Sequence, residues 1–175
     1  EIEILLPEED IRRRVAELAA EVADALPPEV RSEQLVMVGL LKGATMFMSD
    51  FSRDLHRNGV RLAFDYMRPS SYGSGTVSSG IVLQEQDLSM DLAGRHVMLV
   101  DDIIDTGRTI AFAQQHLQAC GVASLRTVLL TDKPSRREVE VHVDHVGFEV
   151  PNRFLVGYGL DADQAYRELP FIGVL

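Results

Sequence analysis

Residues 96–110 read HVMLVDDIIDTGRTI, and this stretch decides how the fold of the 175-residue chain is interpreted. An apolar run ends abruptly in Asp101 and Asp102, and a third carboxylate, Asp105, precedes a Thr-Gly-Arg-Thr sequence and a renewed apolar pattern. That order predicts a buried strand, an acidic loop and the start of a helix. Strands that alternate with helices in this way build parallel α/β sheets.

Apolar patterns on both sides of this stretch extend the alternation along the chain. Apolar residues three or four positions apart predict helices over residues 8–26, 45–56 and 109–119. Short apolar runs predict strands over residues 35–41, 60–67, 81–84, 97–100, 126–131 and 154–158. The sequence therefore predicts an α/β fold with a mostly parallel, twisted sheet flanked by helices. Because no repeat or linker divides it, residues 1–175 are expected to form a single domain.

The composition excludes several classes of protein. Hydrophobic residues make up 46% of the chain, which argues against disorder. The formal net charge of −10 argues against nucleic acid as the main partner, because binding to a duplex needs a basic surface. No apolar run approaches the roughly 18 residues of a membrane span, so no membrane partner is expected.

The cysteine and histidine residues give further expectations about disulfides, location and metal binding. Cys120 is the single cysteine, so an internal disulfide is excluded and a packed, unreactive thiol is expected. This cysteine content and the lack of a visible secretory signal favour a cytoplasmic protein. The spacing His142-x-x-His145 is a weak metal-ligand pattern, and we predict no zinc.

A Ser- and Gly-rich segment covers about residues 68–80. Such a composition buries little surface, so the segment is expected to be mobile. It is either a plain linker or hairpin tip, or a lid that closes over an active site. The length of the segment, and the presence of Tyr72 amid small residues, favour the lid.

The acidic stretch has the chemistry of a ribose-phosphate site. Ligands of open α/β sheets bind beyond the carboxyl ends of the strands, where Asp101 and Asp102 are expected. Ionised carboxylates accept hydrogen bonds from vicinal ribose hydroxyls. The helix N-terminus that follows favours a phosphate group, and Gly107 allows the phosphate to approach the backbone. The alternative is a solvated acidic turn in which Thr109 caps the helix.

Residues 100–109 closely resemble the phosphoribosyl-pyrophosphate (PRPP) signature of type I phosphoribosyltransferases, in particular their 6-oxopurine branch. Further segments are similar to that family in the same order along the chain: residues 40–44, 71–72, 132–134, 146–151 and 154–161. The resemblance implies the type I phosphoribosyltransferase fold, with a small hood formed by the N-terminal segment and about residues 146–175. It also implies purine salvage, in which the 5-phosphoribosyl group of PRPP passes to N9 of hypoxanthine or guanine and yields IMP or GMP and pyrophosphate.

The resemblance assigns the acidic stretch to the sugar phosphate and to catalysis. Asp105 is implied to be the catalytic residue, which accepts the proton that the attacking purine loses. Asp101 and Asp102 are implied to bind the ribose hydroxyls and Mg²⁺. Many members have Glu where Asp101 stands, so the contact of Asp101 is either direct or through water. The residues implied to wrap the 5′-phosphate are Asp105, Thr106, Gly107, Arg108, mostly through its backbone, and Thr109.

Purine recognition is implied for four residues later in the chain. Lys133 donates a hydrogen bond to the purine O6, and Phe154 stacks on the purine face. Leu155 offers backbone groups to the purine edge, and Asp161 lies at the purine and ligates Mg²⁺. Because the ammonium of Lys133 would stay unpaired beside the amino group of adenine, 6-oxopurines are preferred. The alternatives are a solvated turn lysine at position 133 and a core aromatic residue at position 154.

The pyrophosphate part of PRPP is assigned in the same way. The residues implied to bind it or to close over it are Leu41, Lys42, Gly43, Ser71, Tyr72 and Arg167. The family often has the peptide between Leu41 and Lys42 in cis. The alternative for Arg167 is a surface ion pair with Glu168 or Asp163. Together with Mg²⁺, the basic residues offset the charge of the phosphates within an acidic protein.

Two other functions stay open, and one expectation concerns assembly. The first is a regulator that senses a nucleotide or PRPP and binds RNA, although Asp105 and the scarcity of basic patches speak against it. The second is salvage directed at xanthine. The family commonly forms dimers or tetramers, so a homodimer or homotetramer is expected, with the first helix and residues 42–57 as contact surfaces.

Overall fold

A computed structural model defines the fold and describes residues 1–71 and 82–175. The helices are α1 (Glu8–Ala25), α2 (Pro28–Arg31), α3 (Thr45–Arg57) and α4 (Arg108–Ala119). The strands are β1 (Glu3–Leu6), β2 (Gln34–Leu40), β3 (Arg61–Ser71), β4 (Val82–Gln86), β5 (His96–Ile104), β6 (Ser124–Asp132), β7 (His145–Glu149), β8 (Leu155–Val156) and β9 (Ile172–Val174). None of the helices in these two segments is long and apolar enough to cross a membrane.

A six-stranded sheet forms the centre of the protein, in the order β4-β3-β2-β5-β6-β7. Five of its strands are parallel, and β4 pairs antiparallel with β3 at one edge. The chain runs outward from β2 to β3 in one direction, and from β5 through β6 to β7 in the other. The carboxyl ends of β2 and β5 therefore lie where the strand order reverses, which is where ligands bind in sheets of this type.

Apolar packing covers both faces of this sheet. Side chains alternate along β2, so that Leu35 and Met37 join one core cluster and Val36 and Val38 join the other. The first cluster contains the apolar sides of α1 and α3, and the second contains the apolar side of α4. Each fully buried aliphatic side chain contributes about 1.5–3 kcal/mol, so these faces fix the helices against the sheet.

A second, three-stranded antiparallel sheet has the order β1-β9-β8. It joins the N-terminal segment to the last residues of the described chain. β7, which lies at the start of the segment expected to form the hood, pairs instead with β6 in the large sheet.

Strand β5 is longer than predicted. The predicted strand ended at Val100 and placed Asp101 and Asp102 in a loop, which is wrong in this detail, because the strand continues to Ile104. Parallel pairing with β6 continues as far as Ile104 opposite Asp132 and keeps the backbone extended. The two carboxylates are therefore fixed by the sheet.

Two other boundaries differ from the predictions. β3 continues through Ser71 because it pairs with β4, whereas the lid was predicted to begin near residue 68. Residues 72–80 of the predicted lid, with Tyr72, lie outside the described residues. The late strand predicted over residues 154–158 is limited to the two residues of β8.

Candidate active site

The carboxyl-terminal half of β5 carries two buried carboxylates side by side. Asp101 and Asp102 are 8% and 7% exposed, and the backbone N–H of Asp102 donates to Asp101 Oδ1 at 2.8 Å. Burial, together with the negative charge of Asp102, raises the pKa of Asp101 well above its usual value. Burial also raises the pKa of Asp102, although hydrogen bonds and the positive charge of Arg167 oppose part of this effect. Ionising the pair is therefore costly unless a ligand supplies donors or positive charge.

A cavity of about 200 Å³ lies between the end of β5 and the start of α4. Both carboxylates line it, together with the predicted phosphate-binding residues Asp105, Thr106, Gly107 and Thr109. Gly107, with φ of 91°, is the N-cap of α4, and no side chain caps the helix there, so the alternative of a Thr109 cap is wrong. A helix N-terminus without a side-chain cap leaves backbone N–H groups for an anion.

Arg108 uses its side chain outside this cavity. Its guanidinium Nε donates to Glu138 at 2.8 Å, and its backbone N–H donates to Thr106 Oγ1 at 3.2 Å. The guanidinium of Arg108 is therefore engaged with Glu138, and its backbone N–H is paired with Thr106; a backbone contribution of Arg108 to phosphate binding stays a prediction.

A larger cavity of about 390 Å³ adjoins the first. Five residues that were predicted to act on the purine line it: Asp105, Lys133, Phe154, Leu155 and Asp161. Phe154 is 57% exposed and Lys133 only 9% exposed. The alternatives of a core phenylalanine and a solvated turn lysine are therefore wrong. Because Ile103 and Asp105 line both cavities, Asp105 stands at their common wall.

The sequence did not single out several residues of the larger cavity, which are Ile103, Arg136, Asn152, Arg153 and Leu160. Arg136 matters most among them, because its Nε donates to Asp105 Oδ1 at 3.1 Å. The neighbouring Arg137 donates to the backbone oxygen of Asp105 at 2.8 Å and to Asp132 at 2.6 Å. The only sequence signal for this contact was that both arginines follow Lys133 in one polar segment.

The loop after β2 and the turn after β8 bring two cations together. The peptide between Leu41 and Lys42 is cis. Lys42 Nζ donates to Gln164 Oε1 at 3.2 Å, and the guanidinium of Arg167 lies 3.5 Å from the same oxygen. Lys42 and Lys133 are the only lysines in the sequence, and both lie in the candidate site.

Arg167 also has contacts within its own turn. It donates to the backbone oxygen of Gly159 at 2.6 Å and pairs with Asp161 at 3.3 Å. The alternative pairing with Glu168 or Asp163 is therefore wrong. The Nε–H of Arg167 is shielded from solvent and has no acceptor among the described residues. An unpaired donor of this kind is costly, and a phosphate oxygen is the acceptor that a guanidinium pairs with best.

Two glycines allow the site to be this compact. A Cβ atom on Gly43 would lie 2.2 Å from Asp102 Oδ2, and one on Gly159 would lie 2.2 Å from the backbone oxygen of Gly43. The turn that carries Asp161 and Arg167 therefore rests on the Lys42 loop, and that loop rests on the carboxylate of Asp102.

The carboxylates fit a metal only in partnership with a substrate. Across residues 1–71 and 82–175, no group of three or more His, Cys, Asp or Glu side chains is placed to hold a metal ion. Asp161 lines the larger cavity, whereas Asp101 and Asp102 line the smaller one. Mg²⁺ usually binds one or two carboxylates and completes its shell with water and phosphate oxygens, so this donor set suits Mg²⁺ carried with a polyphosphate.

The sequence of residues 1–163 matches the family model of the phosphoribosyl transferase domain. The chain belongs to the phosphoribosyltransferase family. The α/β architecture with a mostly parallel sheet, and the resemblance on which the site residues were assigned, are confirmed by this match and by the relatives below.

Three relatives place this phosphoribosyltransferase more closely. The hypoxanthine phosphoribosyltransferase of Haemophilus influenzae is 43% identical over 172 residues, which cover 98% of this chain and 94% of that protein. The bifunctional protein TilS/HprT of Listeria monocytogenes is 44% identical over 172 residues, which cover 98% of this chain but only 26% of that longer protein. The structure of a hypoxanthine phosphoribosyltransferase from Staphylococcus aureus superposes with a TM-score of 0.89 at 40% identity, covering 99% of this chain and 90% of that one.

Proposed function

We propose that this phosphoribosyltransferase acts in purine salvage and transfers the 5-phosphoribosyl group of PRPP to N9 of hypoxanthine or guanine. The products are IMP or GMP and pyrophosphate. The observation that carries the proposal is the position of Asp105 at the common wall of the two cavities. One cavity has the chemistry for a purine and the other for a ribose phosphate, so the carboxylate stands where the two substrates meet.

The chain's own residues supply the chemistry of the transfer. As the pyrophosphate leaves C1′, positive charge develops on the sugar, and the carboxylate of Asp105 stabilises it and accepts the purine proton. Lys133 donates to O6 of the purine, and Phe154 covers its face. Lys42 and Arg167 bind the departing pyrophosphate. Mg²⁺ would be held by Asp161, Asp101 and Asp102 together with PRPP, and would neutralise phosphate charge.

The first test is the formation of IMP from hypoxanthine, PRPP and Mg²⁺. In Asp105→Asn we expect kcat to fall by about 100-fold to 10,000-fold, which is the usual contribution of general acid–base catalysis. The Kd for PRPP should stay within about threefold, measured by calorimetry, because an ionised carboxylate only accepts hydrogen bonds and so cannot hold phosphate oxygens through its side chain. Asp10→Asn, which neutralises an exposed carboxylate on α1, serves as the control. Full turnover by Asp105→Asn would remove Asp105 from the catalytic role.

The preference among purine bases is the finer part of the proposal. A competition assay with hypoxanthine, guanine, xanthine and adenine at one PRPP concentration measures it directly. Because Lys133 can only donate, we expect the 6-oxopurines to be used and adenine to be rejected. Efficient use of xanthine alone would instead assign the protein to xanthine salvage.

We also propose that the protein is a cytoplasmic homo-oligomer. A groove of about 370 Å³ between α3 and β3 is lined by Ser52, Arg53, His56, Arg57, Val60, Leu62 and Phe64. Phe64 is 46% exposed, and α3 lies within the surface that the sequence suggested for contacts. Sedimentation of the wild type and of Phe64→Glu tests this: a dimer or tetramer should weaken in the variant, and a wild-type monomer would contradict the proposal.

A further inference from the structure

Tyr158 has an unusual backbone for its residue type. It lies in the turn after β8 with φ of 48°, a left-handed conformation that a bulky residue seldom adopts. Its side chain is only 7% exposed. A strained backbone conformation persists when contacts of the side chain or of its neighbours offset its cost in free energy.

The phenol of Tyr158 reaches a different part of the fold. Its hydroxyl donates to Asp50 Oδ2 on α3 at 2.5 Å. Burial, with the neighbouring carboxylate of Asp50, raises the pKa of Tyr158 far above its usual value, so the phenol stays protonated and remains a donor. Because α3 begins three residues after Lys42, this bond ties the turn after β8 to the helix that follows the Lys42 loop.

Gly159, the next residue in the turn, makes contacts that shape the candidate pyrophosphate site, which is formed by Lys42 and Arg167. The backbone oxygen of Gly159 accepts from Arg167 at 2.6 Å, and its backbone N–H donates to the backbone oxygen of Arg167 at 2.9 Å. Gly159 also lies directly on the backbone of Gly43. Tyr158 therefore borders a residue whose backbone contacts both Arg167 and the Lys42 loop.

We propose that the hydrogen bond from Tyr158 to Asp50 is a positioning contact that sets the placement of Arg167 relative to Lys42, and with it the affinity for PRPP and pyrophosphate. Neither residue lines either cavity of the candidate active site; the bond acts through Gly159 on one side and through α3 on the other. The inference rests on the proposed function of this site. It predicts that the bond affects the binding of pyrophosphate but not the binding of the purine.

The test compares Tyr158→Phe, Asp50→Ala and the double variant. In each we expect the KM for PRPP and the Kd for pyrophosphate with Mg²⁺ to rise at least fivefold, while kcat and the KM for hypoxanthine stay within twofold. The double variant should match the single variants, because both changes remove the same bond. Tyr66→Phe is the matched control, since the hydroxyl of Tyr66 makes no hydrogen bond with the described residues.

The possible failures are distinguishable. An unchanged Kd for pyrophosphate in both single variants would overturn the positioning role. Parallel losses in kcat, in the KM for hypoxanthine and in Tm would also overturn it, because they would show a general structural role. Asp50 is 40% exposed in its side chain, so Asp50→Ala tests the loss of the bond even if Tyr158→Phe folds poorly. A wild type that binds neither pyrophosphate nor PRPP would overturn the proposed function itself, and this inference with it.

Discussion

At the scale of single residues, the carboxylates of β5 combine two properties that oppose each other. Asp101 and Asp102 are buried, which disfavours their charge, yet the proposed contacts with ribose and Mg²⁺ need them ionised. A site that binds cations and donors in this way stores unfavourable electrostatic free energy while the ligand is absent. The stability of the free protein should therefore depend on the protonation of this pair.

The sign of that dependence follows from the raised pKa of Asp101. The folded state holds a proton that the unfolded state releases above a pH of about 3.9, so this contribution to stability is present at lower pH and is lost as the pH rises through the folded-state pKa. We expect Asp101→Asn to raise Tm at pH 8 by a few degrees, at roughly 2–4 °C per kcal/mol, and by less at pH 5. Thermal melts at both pH values measure this, and a larger gain at pH 5 would contradict it.

Lys133 and Lys42 form a natural pair of variants for the two halves of the site. In Lys133→Met we expect the KM for hypoxanthine to rise about 10-fold to 100-fold, the usual effect of losing a hydrogen bond from a charged group, with little change for PRPP. Lys42→Met should instead raise the KM for PRPP and leave the KM for hypoxanthine nearly unchanged. Steady-state kinetics with each substrate varied in turn measure both, and equal effects on both substrates would refute the separation.

At the scale of the elements, the site depends on close approach between a loop and a turn from distant parts of the chain. The turn after β8 rests on the loop after β2 at Gly159 and Gly43, and that loop rests on Asp102 in β5. Three segments far apart in sequence are thus in direct contact. A side chain at either glycine would separate them.

Gly159→Ala tests this contact, with Gly121→Ala as its control. Both glycines have positive φ, 99° and 75°, but a Cβ on Gly121 would meet nothing within 4 Å. We expect Gly121→Ala to cost about 1–2 kcal/mol, the penalty of a left-handed backbone, and Gly159→Ala to cost about 1–3 kcal/mol more through the clash. Urea denaturation measures both free-energy costs. Equal costs would show that Gly159 and Gly43 are not in close contact.

At the scale of the whole molecule, an acidic protein is proposed to bind an acidic substrate. The net charge is −10, and the cations at the candidate pyrophosphate site are Lys42 and Arg167. Because these two cations face several phosphate charges in a negatively charged protein, divalent cations bound with PRPP should neutralise much of the phosphate charge.

Removal of Mg²⁺ should therefore affect PRPP more than the nucleotide product. At about 100 times its Kd a ligand stabilises by about 2.7 kcal/mol, so PRPP with Mg²⁺ should raise Tm by roughly 5–11 °C. We expect most of this shift to disappear when the metal is chelated, and the shift caused by IMP to change less. Melting curves with each ligand, with and without chelator, decide it.

Apolar periodicity predicted what is local in this molecule, and the family resemblance predicted that Asp105, Lys133 and Phe154 lie in one site. Other contacts between distant residues were missed. The strand and helix around Asp105 follow from apolar periodicity, because burial on a sheet or a helix face repeats along the chain. The extension of β5 through Asp101 depends on its partner β6, which no local pattern reveals. The same is true of Arg136 beside Asp105 and of Tyr158 beside Asp50, since the two residues are 31 positions apart in the first contact and 108 in the second.

The two lysines have a practical consequence for the study of this site. All other basic side chains apart from the histidines are arginines, so an amine-selective acylating reagent can modify only Lys42, Lys133 and the amino terminus. Pyrophosphate should protect Lys42, and IMP should protect Lys133. Mass spectrometry of the acylated protein would thus give a footprint of each half of the site, without any substitution and without turnover.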